Sequence, residues 1–131
     1  MTIQLINPAD LPPQATYTQV VVAAGTTMVF IAGQEPEDVH GNSVAPGDLA
    51  GQARQVYANL GRALTAAGAR PDQVAKLTIY VAGYTSEYLP VIEQARVAVR
   101  AAQARRHAHR RGAVGSARPG PSSSSRSTRS R

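Results

Sequence analysis

The sequence predicts an α+β domain in which helices cover one face of a sheet. Three observations predict it: two short β-branched apolar runs near the start, a long helical stripe in the middle, and a third apolar run followed by a second helical stripe. All lie in the first 102 residues of a 131-residue chain in which 43% of the residues are hydrophobic. The expected element order is β-β-α-β-α, and the length suits one such domain.

The first two predicted strands are residues 19–24 (QVVVAA) and 28–32 (MVFIA), which are rich in β-branched and apolar residues. Gly25, Thr26 and Thr27 between them favour a hairpin. A further short strand is expected at residues 3–6. Residues 33–46 contain several turn formers and are predicted to be a surface loop with a solvated acidic face.

Two amphipathic helices are predicted. Asp48 is the expected N-cap of the first and Gly68 its expected C′ residue, and the stripe between them is Leu49, Ala53, Val56, Leu60, Ala63, Leu64 and Ala67. Residues 74–82 are predicted to form the third main strand. The second helix is expected over residues 86 to about 102, with Ser86 as its cap and a core face made by Tyr88, Leu89, Ile92, Ala95, Val99 and Ala102.

Charge divides the chain into two parts. Residues 1–95 hold four basic and eight acidic groups, whereas residues 96–131 hold ten Arg and no acidic group. Large apolar residues almost disappear after residue 102, so the predicted organisation is a domain at 1–102 and a disordered Arg/Ser/Pro/Gly-rich tail at 103–131. Such a tail binds polyanions with a steep salt dependence. It lacks aromatic residues for base stacking, so nucleic-acid association is expected only nonspecifically through the tail.

Composition excludes several classes of site. With no Cys, the chain has no disulfide, thiolate metal site or Cys nucleophile. No metal-ligand spacing is present: His40 lies in a predicted turn, and His107 and His109 lie in the tail. No run approaches the roughly 18 apolar residues of a membrane span. Residues 1–10 lack the features of a secretion signal, so a cytoplasmic location without membrane partners is expected.

A series of short motifs runs in order through about residues 3–100: Ile6-Asn7-Pro8, Leu11-Pro12-Pro13, Tyr17-Thr18-Gln19, Val29-Phe30-Ile31-Ala32-Gly33-Gln34, Gly47-Asp48-Leu49 with Gln52 and Gln55, Asn59-Leu60, Ala63-Leu64, Ala67-Gly68-Ala69 and Val74 to Val81. In this order and with these gaps, the motifs resemble the Rid family of reactive intermediate deaminases, also called YjgF.

The resemblance implies a chorismate-mutase-like fold, a homotrimer with three clefts between subunits, and hydrolysis of enamines or imines such as 2-aminoacrylate to 2-keto acids and ammonia. It implies no metal or organic cofactor. It places Tyr17, Ala32, Gly33, Gln34 and Ile92 at the substrate, with Ile92 standing where the family often has Asn. From the residues alone, Tyr17 is interpreted as a strand-edge aromatic. Within the family pattern, a strand-edge aromatic and a substrate contact explain Tyr17 equally well, as do a strand-end bulge and a substrate contact for Gly33.

The C-terminus departs from the family. The family continues with Pro-x-Arg-Ser/Thr, a Val-rich strand and a last strand reading roughly Val-Glu-Ile/Val-Glu/Asp-Ala-Val-Ala, and this chain contains neither motif. Arg105 and Arg106 fall near the family Arg in sequence, but no Pro precedes them, so no catalytic residue is identified. With the last two family strands missing, we expect impaired deaminase activity and poor solubility. A non-catalytic ligand binder is the alternative.

The tail itself suggests a cause for this departure from the family. Residues 122–131 (SSSSRSTRSR) can be encoded by G+C-rich codons whose shifted frame translates as Val-Val-Val-Glu-Val-Asp-Ala-Val-Ala, the last strand of the family. G+C-rich coding fits a chain in which 13 of 14 basic residues are Arg. We therefore hypothesise a shift in reading frame. Reading the coding DNA in all three frames tests it, and a gene without a Pro-x-Arg motif in any frame contradicts it.

Overall fold

Two short strands form the sheet of the computed structural model, which describes residues 2–15 and 17–114, with side chains as far as residue 103. Strand β1 (Thr2–Ile6) pairs antiparallel with β2 (Val20–Ala24), and Thr2 lies opposite Ala24. The sequence prediction is confirmed for both strands to within one residue. The pairing differs, because β2 takes β1 as its partner and not residues 28–32.

The structure assigns neither residues 28–32 nor residues 74–82 to a strand. Both runs have the composition of strands, but a strand also needs a neighbouring backbone to which its N–H and C=O groups can bond. Within the described residues neither run has such a partner. Most of their apolar side chains are exposed, most clearly Met28, Phe30 and Tyr80.

Helix α1 (Leu49–Ala66) follows the predicted stripe. Asp48 occupies the N-cap position with an extended backbone, yet its side chain makes no capping hydrogen bond. The C-terminus ends as predicted: Gly68 has a φ of 70°, the amide of Ala69 donates to the carbonyl of Leu64 at 2.9 Å, and the amide of Gly68 donates to Thr65 at 3.0 Å. This is a Schellman motif, which needs a residue that tolerates positive φ at Gly68.

Helix α2 (Tyr88–Val114) is longer than the sequence predicts. It begins two residues after the expected cap, Ser86, and it continues twelve residues beyond the expected end at Ala102. Residues 103–114, which we predicted to belong to a disordered tail, are therefore helical. Arg and Ala are both good helix formers, and this explains why a segment without a core can still continue a helix. The rest of the predicted tail, residues 115–131, lies outside the described residues.

The two helices pack against each other and the two strands pair with each other, while contact between the helix pair and the strand pair is slight. A short 3₁₀ helix (Pro71–Gln73) follows α1. The end of the Gln103 side chain occupies the space that a Cβ on Gly61 would fill, so the absence of a side chain at Gly61 lets α2 approach α1. No helix in the described part of the chain is long and apolar enough to cross a bilayer.

The core of the described residues is small and lies on α2. Ile92 and Ala95 are buried, with 5% and 3% of their surface exposed, and the α1 stripe facing them is half-buried from Leu49 to Leu64. The hydroxyl of Tyr57 on α1 is also buried, without a hydrogen-bond partner among the described residues. Burial raises the pKa of Tyr57, the Glu93 carboxylate adds to the rise, and Arg96 opposes it. The phenol therefore stays protonated at neutral pH.

Candidate functional site

The backbone at Ala32 and Gly33 is the first part of the candidate site. Both residues are exposed, and a Cβ added to Gly33 would meet no atom within 4 Å. The side-chain amide of Gln34 donates to the carbonyl oxygen of Ala32 at 3.2 Å and to that of Gly33 at 3.3 Å. Three of the five residues that the resemblance places at the substrate are thus joined in one local cluster, whose open side faces solvent.

Tyr17 lies on a separate loop and is exposed. Gln19 fixes this loop, because its backbone amide donates to Asn7 Oδ1 at 2.8 Å and its side chain donates to the Pro12 carbonyl at 2.9 Å. No hydrogen bond among the described residues joins Tyr17 to the cluster of Ala32, Gly33 and Gln34.

Ile92 lies in a third place, the wall of an open groove of about 420 Å³ that is lined by Ile79, Tyr80, Val81, Tyr84, Leu89 and Ile92. Tyr84, one of these lining residues, is in an edge-to-face arrangement with Tyr88, with ring centroids 6.4 Å apart. The lining contains no carboxylate and no cation, so the groove suits an aliphatic group and offers no partner for a charged one.

A polar network on α1 holds the loop that follows Gln34. The side-chain amide of Asn59 donates to the carbonyls of Glu35 and Glu37 at 3.2 and 2.9 Å, and Gln55 also donates to the Glu37 carbonyl at 3.0 Å. Arg62 in turn donates to Asn59 Oδ1 at 2.9 Å. Sequence reasoning assigned no role to these amides. Two carboxamides four residues apart on the polar edge of a helical stripe are the signal that would have found them.

Asp38 organises the tip of this loop. Its Oδ1 accepts hydrogen bonds from the backbone amides of His40 and Asn42, both at 2.9 Å, and the amide of Asp38 donates to the Asn42 carbonyl. The hydrogen bond from the Asn42 backbone amide is the main cause of a lowered pKa for the Asp38 carboxyl. Partial desolvation acts in the opposite direction, and the backbone amide of His40 and the side-chain amide of Asn42 lower the pKa further. The acidic loop is therefore an ordered turn with a structural carboxylate, as is common for Asp in turns.

We expect this turn to loosen in acid. Because the folded-state pKa of Asp38 is lowered, its contribution to loop stability is present above the ordinary pKa of an aspartate and is lost as the pH falls through the lowered value. Amide chemical shifts of His40 and Asn42, followed by NMR during an acid titration, should change with a midpoint below the usual aspartate range. The same titration of the Asp38→Asn variant should show no such transition. A midpoint within or above the usual range in the parent chain contradicts the assignment.

Arg105 and Arg106, which fall near the family Arg in sequence, both lie inside α2. Within the residues that the structure describes, no group of three His, Cys, Asp or Glu side chains is arranged to hold a metal ion.

Comparison with known proteins identifies the family to which this chain belongs. The model of the family described as "Endoribonuclease L-PSP", which includes the Rid, YjgF and RutC proteins, matches residues 8–122. The chain belongs to the Rid family. This match runs about twenty residues beyond the stretch over which the motifs of the Rid family can be recognised by eye, so it includes part of the Arg-rich segment.

Three curated relatives support the membership of this Rid-family chain. A RutC family protein of Pyrococcus horikoshii is 34% identical over 96 residues, which cover 66% of this chain and 75% of the relative. One from Pyrococcus abyssi is 31% identical, with 66% and 74% covered, and one from Synechocystis is 35% identical over 83 residues, with 62% of each chain covered. No solved structure gives a significant match.

Proposed function

We propose that this Rid-family chain binds small imines and enamines of the 2-aminoacrylate type and hydrolyses them to 2-keto acids and ammonia, at a strongly reduced rate. The observation that carries the proposal is the match to the family over residues 8–122. The reduced rate follows from the sequence, which lacks the Pro-x-Arg-Ser/Thr and Val-Glu motifs of the family. The fold proposed for the complete family domain is chorismate-mutase-like, with clefts between the subunits of a homotrimer.

The chemistry needs little from the protein. An enamine first takes a proton on its terminal carbon and loses one from nitrogen, which gives the imine. Water then adds to the electrophilic C=N carbon, its two protons pass in turn to nitrogen, and the C–N bond breaks to release ammonia and leave the keto group. The protein must hold the substrate carboxylate, place one water molecule and carry protons between oxygen and nitrogen.

The candidate residues supply part of this. In the proposed complex the carbonyls of Ala32 and Gly33 accept hydrogen bonds from the substrate nitrogen or the water, and Tyr17 contributes a phenol at the edge of the cleft. The apolar groove beside Ile92 receives the aliphatic end of the substrate. A carboxylate is best held by a bidentate cation, for which Arg is the usual choice, and the groove has none.

A non-catalytic ligand binder is the second candidate function. The specific observation in its favour is the apolar lining of the groove, with Ile92 where the family often has the polar side chain of Asn. Such a protein would bind the imine or its 2-keto acid product without accelerating hydrolysis. The two candidates therefore differ in the ratio of turnover to binding.

We expect the C-terminal segment to decide the rate. An amino-acid oxidase generates the imine in place, and the appearance of the 2-keto acid is compared with the spontaneous rate. The parent chain should accelerate it by less than about tenfold. A chimera whose residues 104–131 are replaced by a segment with Pro-x-Arg-Ser/Thr and Val-Glu-Val-Asp-Ala-Val-Ala should be faster by about 10²–10⁴-fold, the range of general acid–base catalysis.

Two controls accompany this assay. The same chimera with Gln in place of the motif Arg should fall back towards the parent rate, because it keeps the restored strand and lacks only the cation. Binding of the keto acid, measured by calorimetry, separates the two candidates. A parent chain as fast as the chimera refutes the proposed impairment, and a chimera that binds the keto acid but never accelerates hydrolysis supports the ligand binder.

A further inference from the structure

The second half of helix α2 carries a concentrated positive charge. Glu93 is the last acidic residue of the sequence, and it is paired with Arg96, whose guanidinium reaches Glu93 Oε2 at 2.6 Å. Beyond this pair the helix contains Arg100, Arg105, Arg106, Arg110 and Arg111. No acidic group on α2 neutralises these five.

The backbone of α2 places most of this charge on one side. At 3.6 residues per turn, the positions of Arg100, Arg106, Arg110 and Arg111 fall within an arc of roughly 140°, and only Arg105 falls opposite. From Arg100 to Arg111 the helix rises roughly 16 Å. These four positions form the basic face of α2.

The basic face continues the line of residues that packs against α1. That line runs Ile92, Ala95, Val99 and Ala102 and is followed, at the same spacing, by Arg106 and Arg110. Arginine is rarely buried without a partner. The end of the Gln103 side chain lies against Gly61 of α1, and beyond Gln103 the sequence of α2 offers no large apolar residue before Val114.

We propose that the basic face of α2 is a binding site for double-stranded DNA, in which the helix lies in the major groove and its arginines contact the phosphates on either side. A B-form major groove is wide enough for one α-helix, and Arg is the residue best suited to phosphate. Residues 1–95, most of the domain, carry a net negative charge and would remain outside the duplex. The site does not depend on the proposed deaminase activity.

Other polyanions fit this segment less well. Single-stranded nucleic acid is bound by stacking on aromatic side chains, and no Phe, Tyr or Trp follows Tyr88. A helix that lies in a membrane surface needs a large apolar face, whereas Val114 is the only large apolar residue after residue 103. The A-form major groove of duplex RNA is too deep and narrow for a helix.

The test measures binding of a fluorescein-labelled DNA duplex to the full chain by anisotropy over a range of salt concentrations. With about five phosphates contacted, the affinity should fall roughly 500-fold between about 50 and 200 mM salt. The variant Arg100→Gln/Arg106→Gln/Arg110→Gln/Arg111→Gln should bind at least about tenfold more weakly and lose most of this salt dependence. Gln is a good helix former, so circular dichroism should show that its helix content is kept.

Two matched variants separate the helix from charge alone. Arg118→Gln/Arg126→Gln/Arg129→Gln/Arg131→Gln removes the same charge outside the described residues and should bind nearly as well as the parent. Ala108→Pro keeps every Arg but interrupts the helix between Arg106 and Arg110, and it should weaken binding. The proposal is overturned if the two fourfold variants lose affinity equally, if duplex RNA binds as tightly as DNA, or if vesicles of anionic lipid bind more tightly than either.

Discussion

Replacing Ile92 with Ala is expected to lower the free energy of unfolding by about 2–5 kcal/mol, the usual range for removing a large aliphatic side chain from a core. The expected effect is large because the described core is small: Ile92 and Ala95 are its only buried members among the described residues. A domain of this size is stable by about 5–15 kcal/mol, so the loss would be a large part of the total.

Val97→Ala is the matched control for this prediction. Val97 lies one and a half turns along the same helix and is 59% exposed, so its truncation should change the free energy of unfolding by less than about 0.5 kcal/mol. Urea denaturation followed by circular dichroism measures both variants. Equal losses for Ile92→Ala and Val97→Ala would show that α2 does not hold the core at Ile92.

The second large effect is expected on self-association. Phe30 and Tyr80 are 85% and 93% exposed, and each belongs to an apolar run that has no backbone partner in the described structure. An aromatic side chain buries about 150–250 Å² when it is covered, so a second copy of the chain gains much by covering them. We expect the parent chain to form a broad range of assemblies larger than 13.8 kDa, and the double variant Phe30→Ser/Tyr80→Ser to shift the mass towards a single chain.

Multi-angle light scattering measures this, with Val39→Ser as the control. Val39 is as exposed as Tyr80, at 93%, but it lies in the polar loop that Asp38 organises, so its replacement should leave the mass distribution unchanged. A parent chain with a single mass of three times 13.8 kDa and one sharp thermal transition contradicts the prediction. Such a result would mean that the chain completes its sheet and its homotrimer without the last two strands of the family.

The elements that sequence reasoning predicted correctly are those specified by local signals. Helix α1 has a continuous stripe and a Gly at its C′ position, and β2 is an uninterrupted run of Val followed by Ala. Residues 74–82 do not form the predicted third strand, because a strand requires a neighbouring backbone to pair with and sequence composition does not show whether one is present. The end of α2 was misjudged because the lack of apolar residues after residue 102 was taken as a lack of helix, although Arg and Ala favour helix by themselves.

The candidate site was predictable only in part, for a related reason. The resemblance places Tyr17, Ala32, Gly33, Gln34 and Ile92 at the substrate, but the structure distributes them over a loop, a backbone cluster and a groove. Such parts are brought together by tertiary contacts between segments far apart in the chain, and the spacing of residues along the sequence does not reveal these contacts. The role of the Gln55 and Asn59 side-chain amides could not be predicted for the same reason, because their partners are backbone carbonyls about twenty residues earlier in the chain.

The carboxamide of Gln34 competes with any ligand for the carbonyl oxygens of Ala32 and Gly33, since it already donates to both. A ligand that uses these oxygens must first displace it. Each exposed neutral hydrogen bond contributes only about 0.5–1.5 kcal/mol, and both of these bonds, at 3.2 and 3.3 Å, are longer than is usual for an N–H donor and a carbonyl. The exchange therefore lowers the apparent affinity by no more than about two orders of magnitude. Only ligands with a stronger donor than an amide, such as a protonated imine, gain appreciably from the exchange.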